Sequence, residues 1–121
     1  MLLRMPAAVV LTLCSSSAVA QQVRTVQDLT RDCRPVLSDE MPNNVATGFC
    51  AGVFYMVEGL TRIRDQAGRP VIVACLPVGI RTLDLVSAFV RWSDSNPQQA
   101  QQLAIIGAIN SVVFAYPCGG R

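Results

Sequence analysis

The chain has 121 residues, 51% of them hydrophobic, with no lysine, no histidine, ten arginines and eight acids, for a formal charge of +2. That length fits one domain with a packed core, and the hydrophobic share excludes a disordered chain. The small net charge leaves no basic footprint for nucleic acid or anionic lipid.

Residues 1–20 read as a cleavable export signal: Arg4 supplies the positive start, Ala7 to Leu13 the apolar stretch, and Ala18-Val19-Ala20 the small-residue cleavage site. The run is broken by Ser15 to Ser17 and falls short of the roughly 20 apolar residues that a spanning helix needs, so no stable membrane insertion is expected. Cys14 follows Leu13, where a lipoprotein leader usually carries a small residue, which argues against acylation. Cleavage after Ala20 leaves residues 21–121 as a single periplasmic domain.

Thr25-Val26-Gln27-Asp28 has the form of a capping box opening a short first helix that ends near Cys33. Beyond Pro35 and Pro42, Asn43 or Asn44 can cap a longer helix running to about Gln66, with Val45, Phe49, Val53, Met56, Leu60 and Ile63 as its inward stripe. Gly68 is placed to stop it. Gly48-x-x-x-Gly52 on the same helix is expected to admit a close intrachain neighbour, with a dimer seam as the alternative. Val71 to Ala74 is short and β-branched, and reads as an extended return segment before Pro77. Thr82 can cap a third helix with Asp84 in its first turn and Leu85, Val86, Phe89, Val90 and Trp92 inward. Asn96-Pro97 is a strong start signal for a fourth helix, since proline at the first helical position loses an amide that had no partner. Leu103, Ile106, Gly107, Asn110 and Phe114 would lie along one side of it and Ala100, Ala104, Ala108 and Ser111 along the next, two adjacent buried sides that imply contact with more than one neighbour. The fold class expected is all-α, a small disulfide-stapled bundle of about four helices.

Four cysteines follow the leader: Cys33, Cys50, Cys75 and Cys118. An even count in a short exported chain points to structural bridges. Cys50–Cys75 is within reach if the chain returns along the central helix, which leaves Cys33–Cys118 to join the two ends of the fold. Four cysteines admit three connectivities, and the sequence does not choose among them. No close cysteine pair exists to hold zinc or to run thiol redox chemistry. No cofactor and no metal are expected. Without histidine the usual nucleophile–base arrangements are missing, and only Glu58 with Asp65 or Asp84 could form a carboxylate pair. No catalytic residue is assigned, and the chain is read as a binding protein.

Phe49-Cys50-Ala51-Gly52, then Cys75-Leu76-Pro77-Val78-Gly79-Ile80-Arg81-Thr82, then Leu85-Val86, Asn96-Pro97 and Ala115-Tyr116-Pro117-Cys118, in that order, resemble the Rap1a/Tai family. The resemblance covers about Gly48 to Cys118. It implies a small periplasmic helical protein, homodimeric, that inhibits a peptidoglycan amidase effector delivered by type VI secretion. Steric occlusion would be the mechanism.

Contact residues are then expected in the connections: Arg62, Arg64 and Arg69 after the central helix, and Trp92, Asp94 and Asn96 before the last, with tryptophan and arginine common in binding hot spots. Trp92 has a competing role as the end of the third helix's apolar face. Two rival readings are an acid-activated periplasmic chaperone of the HdeA kind, for which eight acids and no histidine are a poor endowment, and a general envelope helical binding protein.

Overall fold

The computed structural model describes residues 23–119. The expected leader and its cleavage site lie outside the described residues. Four helices follow in order: α1 (Val26–Cys33), α2 (Val45–Leu60), α3 (Thr82–Ser95) and α4 (Ala104–Ala115), with 3-10 turns at Arg34–Leu37 and Pro97–Gln99. The all-α class holds: among the described residues there are no strands.

Local sequence chemistry sets most helix starts. At α1 the Asp28 amide donates to the Thr25 hydroxyl at 3.2 Å, and the Thr25 amide donates back to Asp28 Oδ2 at 3.0 Å, closing the expected capping box. The backbone and side-chain hydrogen bonds from Thr25 hold the Asp28 carboxyl below its ordinary range. Asn44 caps α2 by accepting from the Thr47 amide at 3.0 Å. α3 begins one residue earlier than expected. Its cap is Arg81 rather than Thr82, and Asp84 accepts from the Arg81 amide at 3.0 Å and from its guanidinium at 2.9 Å.

Two boundaries differ from the sequence reading for identifiable reasons. α2 ends at Leu60, not near Gln66, because Asp65 organises a tight hairpin: its backbone amide donates to Arg69 O at 2.8 Å, and its side chain accepts from the amides of Ala67 and Arg69. An antiparallel bridge between Arg64 and Pro70 closes this hairpin, with Gly68 at φ +76 in its turn. α4 does not start at Pro97. Asn96 instead finishes α3, donating from its side-chain amide to Trp92 O at 2.7 Å. The chain after Pro97 then lends its carbonyls to α1, with Val26 N donating to Gln102 O at 2.8 Å and Gln27 N to Ala100 O at 3.0 Å. In return the Ala104 amide donates to Arg24 O at 2.9 Å, so the starts of α1 and α4 satisfy each other's orphan groups.

The core is built from Val26, Leu29 and Cys33 of α1, Cys50, Phe54 and Val57 of α2, Leu85, Val86, Phe89 and Val90 of α3, and Ala104, Ala108 and Val112 of α4, with Val36 from the first 3-10 turn. Phe54 and Phe89 meet at 5.2 Å between ring centroids, and Phe89 stacks on Trp92 at 6.3 Å. Each large side chain buried here contributes about 1.5–3 kcal/mol relative to exposure.

The facing of two helices departs in part from the expected one. Of the expected α2 stripe, Val45, Phe49 and Met56 are exposed, Val53 packs against the core and Leu60 is half-buried, while Ile63 lies beyond the helix end and is exposed; Thr47, Cys50, Phe54 and Val57 are the residues that turn inward. On α4 the side of Ala104, Ala108 and Ser111 is buried as expected, together with Gly107, whereas Leu103 at the cap, Ile106 and Phe114, also expected inward, face out. Small side chains let α4 lie against α1 and α3 at short range. At Gly107 a Cβ would collide with the Val26 side chain and crowd Trp92 at 3.4 Å.

The disulfides are Cys33–Cys50, with Cα atoms 5.2 Å apart, and Cys75–Cys118, with Cα atoms 5.0 Å apart. This corrects the expected pairing of Cys50 with Cys75 and Cys33 with Cys118. The early end of α2 is the reason: the hairpin carries the chain toward the end of α4, where Cys75 N donates to Tyr116 O at 2.9 Å, while the packing of α1 on α2 sets Cys33 against Cys50. The chain-entropy relation assigns about 3 kcal/mol to the first loop and about 4 to the second. Replacing Cys33 and Cys50 together by alanine, or Cys75 and Cys118 together by serine, is expected to lower stability in urea unfolding by amounts of that order, with a further loss for the first pair because both side chains are fully buried. An unchanged unfolding midpoint for either variant contradicts the bridge it removes.

Candidate functional site

The surface divides into three regions with different chemistry. The first is the α2 face, where Val45, Phe49, Tyr55 and Met56 are exposed and no charged residue interrupts them. Gly48 and Gly52 lie in the same face, and a Cβ at either would meet nothing within 4 Å. Among the described residues no intrachain neighbour packs there, contrary to the expectation for this glycine pair. Arg24 borders the face: its guanidinium lies 4.9 Å from the Phe49 ring centroid and donates to the buried Asp32 at 2.7 Å.

The second region is the corner between α3 and α4, where the expected contact residues Trp92, Asp94 and Asn96 lie close together in sequence but serve the fold. Trp92 packs between Phe89 and Gly107. Asp94 pairs with Arg34, whose side-chain hydrogen bonds hold the Asp94 carboxyl below its ordinary range and raise the Arg34 guanidinium above its own. Asn96 closes α3, as above. A hollow lined by Arg91, Trp92, Asn96 and Phe114 opens beside them.

The third region is centred on Leu76 to Ile80, which sequence reasoning noted as a family motif and did not name as a contact element. Pro77 O accepts from Ile80 N at 3.3 Å, and Gly79 has φ +79, the conformation a type II turn demands at its third position. Val78 therefore stands at the apex, fully exposed at 106%. The turn separates two hollows. One is lined by Thr61, Arg62 and the segment Ala74 to Ile80, the other by Pro77 to Ile80 with Asp84, Ser87, Arg91 and Tyr116.

The remaining expected contacts, Arg62, Arg64 and Arg69, are exposed in and before the hairpin. Arg62 pairs with Glu58 at 2.7 Å, Arg69 with Asp65 at 2.9 Å, and Arg64 donates to Gly68 O at 3.1 Å. The backbone amide of Arg69 is the main influence holding the Asp65 carboxyl below its ordinary range. The side chain of Arg81 does the same for Asp84. Glu58, Asp65 and Asp84, the only carboxylates weighed for hydrolysis, are thus each engaged by a separate arginine. Among the described residues no group of three or more His, Cys, Asp or Glu is placed to hold a metal, and no helix is long and apolar enough to cross a membrane.

No curated protein and no solved structure gives a significant match to the chain. The Rap1a immunity proteins do match, over residues 25–118, a span that includes all four helices and all four bridged cysteines. Proteins of that family are inhibitors rather than enzymes and act with type VI secretion, typically in the periplasm. On that match, which covers more than three quarters of its length, the chain belongs to the Rap1a immunity protein family.

Proposed function

We propose that this protein is a periplasmic immunity protein that binds a peptidoglycan amidase effector and blocks its substrate cleft. The family match across residues 25–118 carries the reading. Two disulfides in a domain of this size support it, because a preorganised binder loses little conformational freedom on association, and because such bridges persist in oxidising compartments. No chemistry by the inhibitor is required: occupying the cleft is enough.

The same proposal includes contacts by Arg62, Arg64 and Arg69 from the hairpin and by Trp92, Asp94 and Asn96 from the α3–α4 corner. Exposure of the three arginines supports the first group. It also includes a homodimer seated on the α2 face, supported by a continuous uncharged apolar surface in which Gly48 and Gly52 leave room for a second helix.

Two measurements test these points. Purified protein is expected to stop, at stoichiometric amounts, peptidoglycan cleavage by at least one of a panel of type VI amidase effectors, and undiminished cleavage by all of them in large molar excess contradicts the immunity reading. Sedimentation is expected to show a dimer that Phe49→Asp converts to monomer; a wild-type monomer at all concentrations contradicts the α2 seam.

A further inference from the structure

Arg91 differs from the other described arginines. Arg24, Arg31, Arg34, Arg62, Arg69 and Arg81 each pair with a carboxylate, and Arg64 donates to Gly68 O. Among the described residues Arg91 has neither an ion pair nor a side-chain hydrogen bond. Asp84 and Asp94 share its helix, but Arg81 holds the first and Arg34 the second, so neither competes for it.

Arg91 stands in the wall of the hollow between the ends of α3 and α4, whose volume is about 320 Å³. Trp92 and Phe114, the latter 76% exposed, give it aromatic walls, with Ala88 and Ala115 between them. Ser95 and Asn96 add polar atoms with capacity to spare. Among the described residues the Ser95 hydroxyl has no hydrogen bond, and Asn96 Oδ1 accepts only from Gln98, at 3.4 Å. The walls are preformed: Trp92 stacks on Phe89 and lies against Gly107, and Asn96 Nδ2 is fixed on Trp92 O. The chain after Phe114 is held by the Cys75–Cys118 bridge and by the bond from Cys75 N to Tyr116 O. A ligand entering here has little to order.

These groups specify a ligand. An unpaired guanidinium takes a carboxylate, the aromatic walls take an apolar side chain, and the carboxamide oxygen takes an N–H. The volume lies at the small end of ligand pockets, room for one residue rather than an extended segment. In an extended chain successive side chains point to opposite faces, so an acidic residue next to an apolar one offers only one of the two to a single hollow. A C-terminal residue carries carboxylate, side chain and N–H on the same carbon.

We infer that the α3–α4 hollow is a binding site for the C-terminal residue of a peptide, with its carboxylate on Arg91 and Ser95, its N–H on Asn96 Oδ1 and an apolar side chain between Trp92 and Phe114. The site is additional to the immunity reading and does not depend on it.

Trp92 is the only tryptophan of the chain, so its fluorescence reports occupancy directly. The probe is an acetylated tripeptide ending in phenylalanine, added to the disulfide-intact protein with no amidase present. Its free acid is expected to change the Trp92 emission saturably with a Kd of about 0.1–1 mM, and its C-terminal amide to bind about tenfold more weakly or not at all. 3-Phenylpropionate, which has the carboxylate and the ring but no N–H, is expected to bind about threefold or more weaker than the tripeptide acid. Arg91→Gln is expected to lower affinity for the acid about tenfold with an unchanged melting temperature, because the side chain has no partner to lose. The acid-against-amide comparison needs no variant to fold. No saturable change up to about 10 mM tripeptide, equal binding of acid and amide, or wild-type affinity in Arg91→Gln overturns the site. 3-Phenylpropionate binding as tightly as the tripeptide overturns the peptide assignment in favour of small aromatic acids. None of these results touches the immunity reading, which the amidase panel tests separately.

Discussion

The pairing of cysteines in chain order, Cys33 with Cys50 and Cys75 with Cys118, is the constraint on which the rest of the structure depends. One bridge locks the short α1 onto the start of α2 inside the core, where both half-cystines are fully buried. The other lies toward the surface and ties the long irregular connection before α3 to the segment after α4. A helix of eight residues such as α1 is not stable alone. It persists because a covalent bond, a capping box and carbonyls borrowed from residues 100 and 102 all act on it together.

α4 joins the rest of the bundle largely through small residues. α4 presents Ala104, Gly107, Ala108 and Ser111 inward and so approaches α1 and α3 closely, with Trp92 filling the space beside Gly107. That choice leaves large apolar side chains of α2 and α4 at the surface. For a protein whose task is binding, the arrangement places adhesive surface outside without weakening the core, and the absence of catalytic chemistry in the family removes any need for a cleft of its own.

What the sequence made legible follows its local signals. The Thr25–Asp28 box, the asparagine cap of α2, the acidic first turn of α3 and the number of helices depend on residues within one turn of each other, and the structure has them. The facing of α2 and α4 was legible only in part: the small-residue side of α4 is buried as expected, the large-residue side is not. Both helices are apolar on more than one side, so a three-four step fits several stripes equally well, and only the neighbouring helices decide which is buried. The start of α4 failed for a different reason: Asn96 and Pro97 have the right local chemistry, but their backbone groups are engaged by α3 and by a 3-10 turn, and the next carbonyls are taken by α1. The bridge pattern depended on where α2 ends, which Asp65 settles through a hairpin that helical periodicity does not register. Of the surface, the exposed arginines were legible as such, whereas the apex at Val78 required the geometry of its turn.

Peptide mapping of protein purified and digested without reductant tests the central claim directly. The account predicts linked peptides joining Cys33 to Cys50 and Cys75 to Cys118. A Cys50–Cys75 linkage, or free thiols at these positions, would contradict it.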